Sequence, residues 1–342
     1  MKTIYSSTHK LHHSPAELMF GKFVPAFEKP ERAELVLERL QAVKLGEVLA
    51  PDVFSLDAVK RIHAPGLIDL LQTAHQEWVE AGRSGAAYPF TWPARGMRAD
   101  RAPKDLDGRL GFYSFDCGTP ITQASWQAIK ASVDVALTGV KLLQEGAASA
   151  FSLCRPPGHH ASASQYGGYC FLNNAAIAAQ KCLDEGAARV AILDVDYHHG
   201  NGTQDIFYQR DDVLFVSLHG DPDQEYPYML GFADETGAGK GEGYNINYPL
   251  PWGTGWDEWS SALQAGLKRI EAYGADIVIV SLGVDTYKGD PISQFKLDHE
   301  HFTRMGEQIK SLNKPTLFVM EGGYAVAEIG INAVNVLTGF EG

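Results

Sequence analysis

The stretch VAILDVDYHHGNG, Val190 to Gly202, decides the fold. Its opening residues are apolar apart from Asp194 and rich in β-branched side chains, as a strand buried on both faces should be, and they run directly into Asp196, His198 and His199. Chemistry therefore sits where a buried strand ends. Val213 to Leu218, Ile277 to Leu282 and Thr316 to Met320 have the same character, and Ala150 to Leu153 is a shorter version, interrupted by Ser152, that leads into RPPGHH. Between these runs lie helical patterns at Asn174 to Leu183, Trp256 to Tyr273 and His299 to Leu312, the last with Asp298 placed as its N-cap. Strand and helix alternate, which predicts an α/β fold: a multi-stranded parallel sheet with helices on both faces.

Ligands of such sheets bind outside the carboxyl ends of the strands. In chain order those ends present His159 and His160, then Asp194, Asp196 and His198, then His219, then Asp285, then Glu321 and Tyr324. A lone histidine pair or strand-end aspartate is usually structural, but this joint placement points to catalysis. Asp196, His198 and Asp285 form the expected metal set. Two carboxylates and one imidazole leave an open position on Zn²⁺, where the pKa of a water is lowered and a carbonyl oxygen is polarised. Fe²⁺, Co²⁺ or Mn²⁺ would suit the same donors. His199 is expected to be structural, as are His9, His12, His13, His63, His75, His299 and His301.

RPPGHH, GGYCFLNNAA, DVDYHHGNGTQDIFY, SLHG, LGVDTYKGDP and EGGY together resemble the histone deacetylase-like amidohydrolases of the arginase/deacetylase superfamily, with the blocks in family order from about residue 150 onward. The upstream KLHHSPAELMFGKFVPAFEKPERAE and the long segment before Ile121 look like the bacterial acetylpolyamine amidohydrolases. The resemblance implies an arginase/deacetylase fold, with His160 as general base and then acid, His159 as its electrostatic partner, and Tyr324 polarising the scissile carbonyl. It implies that Asp194 orients His159 and that His160 faces Asn201, where some relatives carry aspartate. Gly168 and Tyr169 match a wall of the channel for the acylated arm, with Tyr226 opposite. Asp194, Asp196, His198, Ser217 and Leu218 match positions that bind a structural K⁺. Glu17 matches an acid directed at the distal ammonium of the substrate; Asp107 and Asp116 are weaker acidic candidates.

Composition agrees with this. The 342 residues, 45% hydrophobic and 21% charged, suit one large domain spanning 1–342. A net charge of −13 disfavours nucleic acid and anionic membranes and favours a cationic substrate. Four cysteines without C-x-x-C spacing and an N-terminus without an apolar core predict a reduced, cytoplasmic protein. Between residues 81 and 120 a Gly-, Pro- and aromatic-rich insertion shows no sustained period, and the resemblance implies that it builds a homodimer interface and narrows the site entrance. The function expected is metal-dependent deacetylation of small acetylated amines such as acetylputrescine, acetylcadaverine or acetylspermidine. A broader acetyl-lysine or protein deacylase is the alternative, and a pocket-bearing protein without turnover is the third. A dinuclear ureohydrolase is disfavoured because no second carboxylate closely follows Asp285 in LGVDTYKGDP.

Overall fold

The computed structural model describes all 342 residues. Ten strands occur: β1 (Lys2–Ile4), β2 (Ala16–Met19), β3 (Lys22–Pro25), β4 (Val48–Leu49), β5 (Ser149–Ser152), β6 (Val190–Asp194), β7 (Val213–Gly220), β8 (Asn245–Leu250), β9 (Ile277–Leu282) and β10 (Thr316–Met320). Eight of them form one sheet in the order β4-β1-β5-β10-β9-β6-β7-β8, with every neighbouring pair parallel. β2 and β3 make a separate antiparallel hairpin. The predicted α/β architecture is correct, and each of the five expected strands is present.

Side chains alternate along a strand, so a sheet covered on both faces feeds two cores. Val190 and Ile192 of β6, Ile279 of β9, and Leu317 and Val319 of β10 enter one cluster of buried apolar residues. Ala191 and Leu193, Val278 and Val280, and Phe318 and Met320 enter the other. The first face is covered by α2 (Asp57–Ile62), α3 (Pro65–Glu80), α4 (Leu106–Phe112), α5 (Ser125–Gln144) and α6 (Asn174–Asp184), with α7 (Asn201–Phe207) at its edge. The second is covered by α1 (Glu31–Val43), α8 (Trp256–Tyr273), α9 (His299–Lys310) and α10 (Ile329–Glu341). Asp298 caps α9 as expected, accepting from the His299 amide at 2.9 Å, while His301 Nδ1 accepts from the Asp298 amide at 2.9 Å. No helix is long and apolar enough to cross a membrane.

The 81–120 segment is more structured than its lack of period predicted. Asp105 caps α4 by accepting from the Asp107 amide at 2.9 Å, and Leu106 and Leu110 of that helix join the first core. Ala87 bridges Ile121, and Trp92 Nε1 donates to Ser114 Oγ at 2.9 Å. Seven residues are too few to display a helical period, which is why the sequence conceals α4. Phe90 and Met97 remain exposed.

Candidate active site and metal centre

Connectivity converges on one crevice. From β5 the chain skips two strand positions to β6, proceeds outward through β7 and β8, and returns through β9 and β10 to fill the gap. Opposed crossovers open the space above such a point. The five strand ends that meet there carry RPPGHH, DVDYHH, SLHG, LGVD and EGGY.

Asp196, His198 and Asp285 each bring a donor atom within 4.8 Å of the other two, and all are buried. His198 Nδ1 lies 3.0 Å from Asp285 Oδ2 and 3.5 Å from Asp196 Oδ1, so one ring nitrogen faces both carboxylates. Burial, and then the charge of Asp196, pushes the Asp285 carboxyl up to about 8, which marks a pocket with negative charge to neutralise. A dication answers that need, so the residues fit the metal the sequence implied. Close approach is built in: a Cβ on Gly322 would sit 2.5 Å from Asp196 Oδ2, and the Gly322 amide donates to that oxygen at 2.8 Å.

The tandem histidines stand beside this set with ring centroids 4.0 Å apart. His159 Nδ1 is 3.0 Å from Asp194 Oδ2, and His160 Nδ1 is 2.6 Å from Asn201 Oδ1, the two pairings that the resemblance implied. Burial opposes charge on His159, but Asp196 and Asp194 outweigh it and raise the imidazole to about 10. Burial dominates at His160 and, with the neighbouring His159 and His198, drives its pKa far down, so this ring is neutral. Asp194, Ser217 and Leu218, the remaining positions of the expected K⁺ site, lie together at the carboxyl ends of β6 and β7, where Asp194 pairs in register with Ser217.

Aromatic walls surround the opening. Tyr169 lies 5.5 Å from Tyr324, and Tyr226 packs edge-on to His160 at 5.2 Å. Phe115, one of the aromatic residues of the 81–120 insertion, stacks on Tyr226 at 6.2 Å and completes that wall. Gly168 has φ +56°, and a Cβ there would lie 2.3 Å from His160 Cδ2, so only glycine lets the loop rest on the imidazole. Glu17 is buried and accepts from the Tyr169 hydroxyl at 3.0 Å, which places it at the site. The other two acids are already held by neighbouring protein groups. Asp107 is clamped by both terminal nitrogens of Arg83, and Asp116 accepts from Tyr226 Oη at 2.7 Å and from the Gly168 amide at 2.9 Å, acting as a strut.

His219 does not join the site despite its strand-end position. It lies within β7, bonded to Ser217 Oγ and the Gly231 carbonyl at 2.8 Å each. His199 packs on it with ring centroids 4.4 Å apart. Asp290 was missed: it follows Asp285 by five residues, and its Oδ2 accepts from the amides of Tyr324 and Ala325 at 2.6 and 3.1 Å. Its oxygens fix the tyrosine loop, leaving Asp285 without a partner carboxylate for a second ion.

Arg32 was missed as well. Its guanidinium donates to the Gly323 and Glu321 carbonyls at 2.6 and 2.7 Å and lies 4.7 Å from the Tyr324 ring centroid. Glu28 binds Arg32 and, through both oxygens, Arg155. Burial pushes the Glu28 carboxyl up, but Arg155 and Arg32 outweigh it and hold it at about 2 against an ordinary 4.5. Its stabilisation is therefore complete above about 4.5 and lost as pH falls towards 2. Glu28→Gln should strand two buried guanidiniums and destabilise the fold by about 3–5 kcal/mol. Urea unfolding at neutral pH checks this; a loss near zero would show that the network carries no stability.

Residues 26–340 match the histone deacetylase domain family, and the chain belongs to it. Along its full length it is 63% identical to acetylpolyamine amidohydrolase 2 of Pseudomonas aeruginosa, covering 99% of that protein. It is 48% identical to the acetylpolyamine amidohydrolase of Mycoplana ramosa, with both chains fully covered. The crystal structure of an acetylpolyamine aminohydrolase from Burkholderia pseudomallei superposes with a TM-score of 0.95 at 36% identity, covering 99% of this chain and 98% of that one. The arginase/deacetylase fold is thereby established.

Proposed function

We propose that this chain is a metal-dependent amidohydrolase that deacetylates N-acetylated polyamines and diamines, such as acetylputrescine, acetylcadaverine and acetylspermidine, to acetate and the free amine. The observation that carries this reading is the buried Asp196, His198 and Asp285 set faced by neutral His160 and by Tyr324 inside an aromatic cleft that has a buried acid, Glu17, beside its wall. Full-length likeness to proteins named acetylpolyamine amidohydrolases supports the substrate class. Acetate release from a panel of acetylated amines tests it.

A divalent ion held by Asp196, His198 and Asp285, Zn²⁺ or alternatively Fe²⁺, Co²⁺ or Mn²⁺, would supply Lewis-acid polarisation and lower the pKa of the attacking water. His160 takes a proton from that water as it attacks the acetamide carbon, and returns it to the departing amine nitrogen. Asn201 aims the ring, while His159, fixed by Asp194, contributes positive charge beside the developing oxyanion. Tyr324 donates its hydroxyl proton in a hydrogen bond to that oxygen. Gly168, Tyr169 and Tyr226 line the channel. K⁺ held by oxygens of Asp194, Asp196, His198, Ser217 and Leu218 would stiffen the floor beneath. Four free cysteines agree with a cytoplasmic location.

Glu17 selects for a cationic tail in this account. Burial, the main cause, lifts its carboxyl to about 7, so the attractive anion forms as pH rises through neutrality; Tyr169, Glu28 and Asp116 are its titratable neighbours. Glu17→Gln should cost about 1–3 kcal/mol in kcat/KM for acetylated diamines and spare a neutral acetamide of similar length. The preference of the unmodified protein for the diamine should strengthen across that pH range, and the variant should lose this slope. Equal losses on both substrates would remove Glu17 from recognition.

A homodimer through the 81–120 insertion belongs to the same proposal. Phe90 and Met97 of the insertion are exposed, as are Phe20 and Phe23 of the β2–β3 hairpin, and Phe23 touches Tyr88 with centroids 6.0 Å apart, so the apolar patch is continuous across both segments. Replacing 82–103 with a short linker should give monomers that accept acetyl-lysine peptides more readily. Sedimentation showing an unchanged dimer with unchanged selectivity would assign both properties elsewhere.

A further inference from the structure

Beneath the reaction centre, His159, Cys170 and Glu321 bring one donor atom each within 4.8 Å of one another, and all three are buried. Neighbouring strands deliver two of them: His159 follows β5, and Glu321 is the first residue beyond β10. Cys170 is turned inward by a tight loop in which Gly167 and Cys170 exchange backbone hydrogen bonds of 2.9 Å. The decisive feature is the Glu321 carboxylate. Its Oε2 accepts from the amides of Gly158 and His159 at 2.7 and 3.1 Å, but its Oε1 is buried with no hydrogen-bond partner.

A buried carboxylate oxygen without a donor is costly, so the position favours a proton or a cation. The neighbours decide which cation. Imidazole, thiol and carboxylate form a donor set suited to Zn²⁺-like ions and poorly suited to Mg²⁺, which seeks oxygen. We propose that His159, Cys170 and Glu321 form a second site, distinct from Asp196, His198 and Asp285, for a thiophilic divalent cation, and that its occupation inhibits the enzyme.

Asp194 already holds His159 Nδ1, which leaves Nε2 for the cation. With bonds of about 2.0–2.3 Å, a tetrahedral set has its donors about 3.3–3.7 Å apart, so these atoms need to close by at most roughly 1.5 Å. Binding displaces the thiol proton of Cys170, since a coordinated thiol is held as thiolate, and the Nε2 proton of the charged His159 and any proton on Glu321 leave with it to solvent. Burial pushes the Cys170 thiol far up, so a hard, weakly bound ion does not displace that proton. The inhibitory consequence rests on the deacetylase reading: Nε2 lies 3.8 Å from Asp196 Oδ1 and faces the reaction, so a cation taking it removes His159 from that role.

Cobalt separates the two sites, because only the second contains sulfur. In protein loaded with one equivalent of Co²⁺, a second equivalent should raise a thiolate-to-cobalt charge-transfer band in the near ultraviolet and lower turnover in parallel, while Mg²⁺ does neither. Cys170→Ala should abolish the band and raise the Zn²⁺ concentration for half-inhibition by at least about tenfold. Cys154→Ala, which alters another buried thiol, should keep both responses. Glu321→Gln retains the thiol and should require at least about tenfold more Co²⁺ for the same band. No band at two equivalents, or one that persists in Cys170→Ala, overturns the site. The band is read without turnover, so its absence leaves the deacetylase reading standing, and its presence in a protein inactive on acetylated amines leaves the metal site standing.

Discussion

Tyr324→Phe should lower kcat by about two to three orders of magnitude while leaving the fold and metal content intact, the usual consequence of removing one oxyanion donor. The ring that remains keeps its supports. Arg32 faces it at 4.7 Å from the centroid, Tyr169 packs at 5.5 Å, and Asp290 holds the Tyr324 amide at 2.6 Å, none of which needs the hydroxyl. Only the bond to the developing oxyanion is lost, and it is strongest in the transition state, so KM should move much less than kcat. Steady-state kinetics on the best substrate check this, and a near-normal kcat would remove Tyr324 from the chemistry.

Asp285→Ala should abolish stoichiometric metal binding and reduce turnover to background. Asp285 contributes more than one donor atom. Its Oδ2 faces His198 Nδ1 at 3.0 Å and its Oδ1 accepts from the Tyr197 amide at 2.7 Å, so it also orients a second ligand and the loop between β6 and α7. With one carboxylate and one imidazole left, the centre lacks the charge and the third donor that a catalytic ion requires. Metal analysis after dialysis against a known free-metal concentration gives the answer. Full occupancy in the variant would overturn the ligand assignment.

What the sequence made legible follows the length and polarity of each element. β6, β7, β9 and β10 are apolar and five to eight residues long, so both their existence and their chemistry-bearing ends could be read directly. β1 has three residues and β4 two, too short for any pattern. β8 was hidden for a different reason: its inward positions are Asn245 and Asn247, whose amides both donate to Gln204 Oε1 at 2.8 Å, so its polarity is the reverse of an ordinary strand. Closely spaced residues such as Asp194 and Asp196, or His159 and His160, announced the site. Arg32 and Glu28 could not, because their partners Gly323 and Arg155 lie 291 and 127 residues away in the chain, and only the fold joins them. His219 shows the opposite error, in which a polar residue at a strand end is consumed by local hydrogen bonds.

The most direct test measures acetate release by the Zn²⁺-loaded protein from acetylputrescine, acetylcadaverine, acetylspermidine and an acetyl-lysine peptide under identical conditions. The account predicts metal-dependent turnover with kcat/KM highest on the small acetylated amines and at least about tenfold lower on the peptide, since the aromatic cleft and Glu17 favour a slender cationic tail. Equal or greater efficiency on the peptide, or no acetate from any amine with the metal bound, would contradict it.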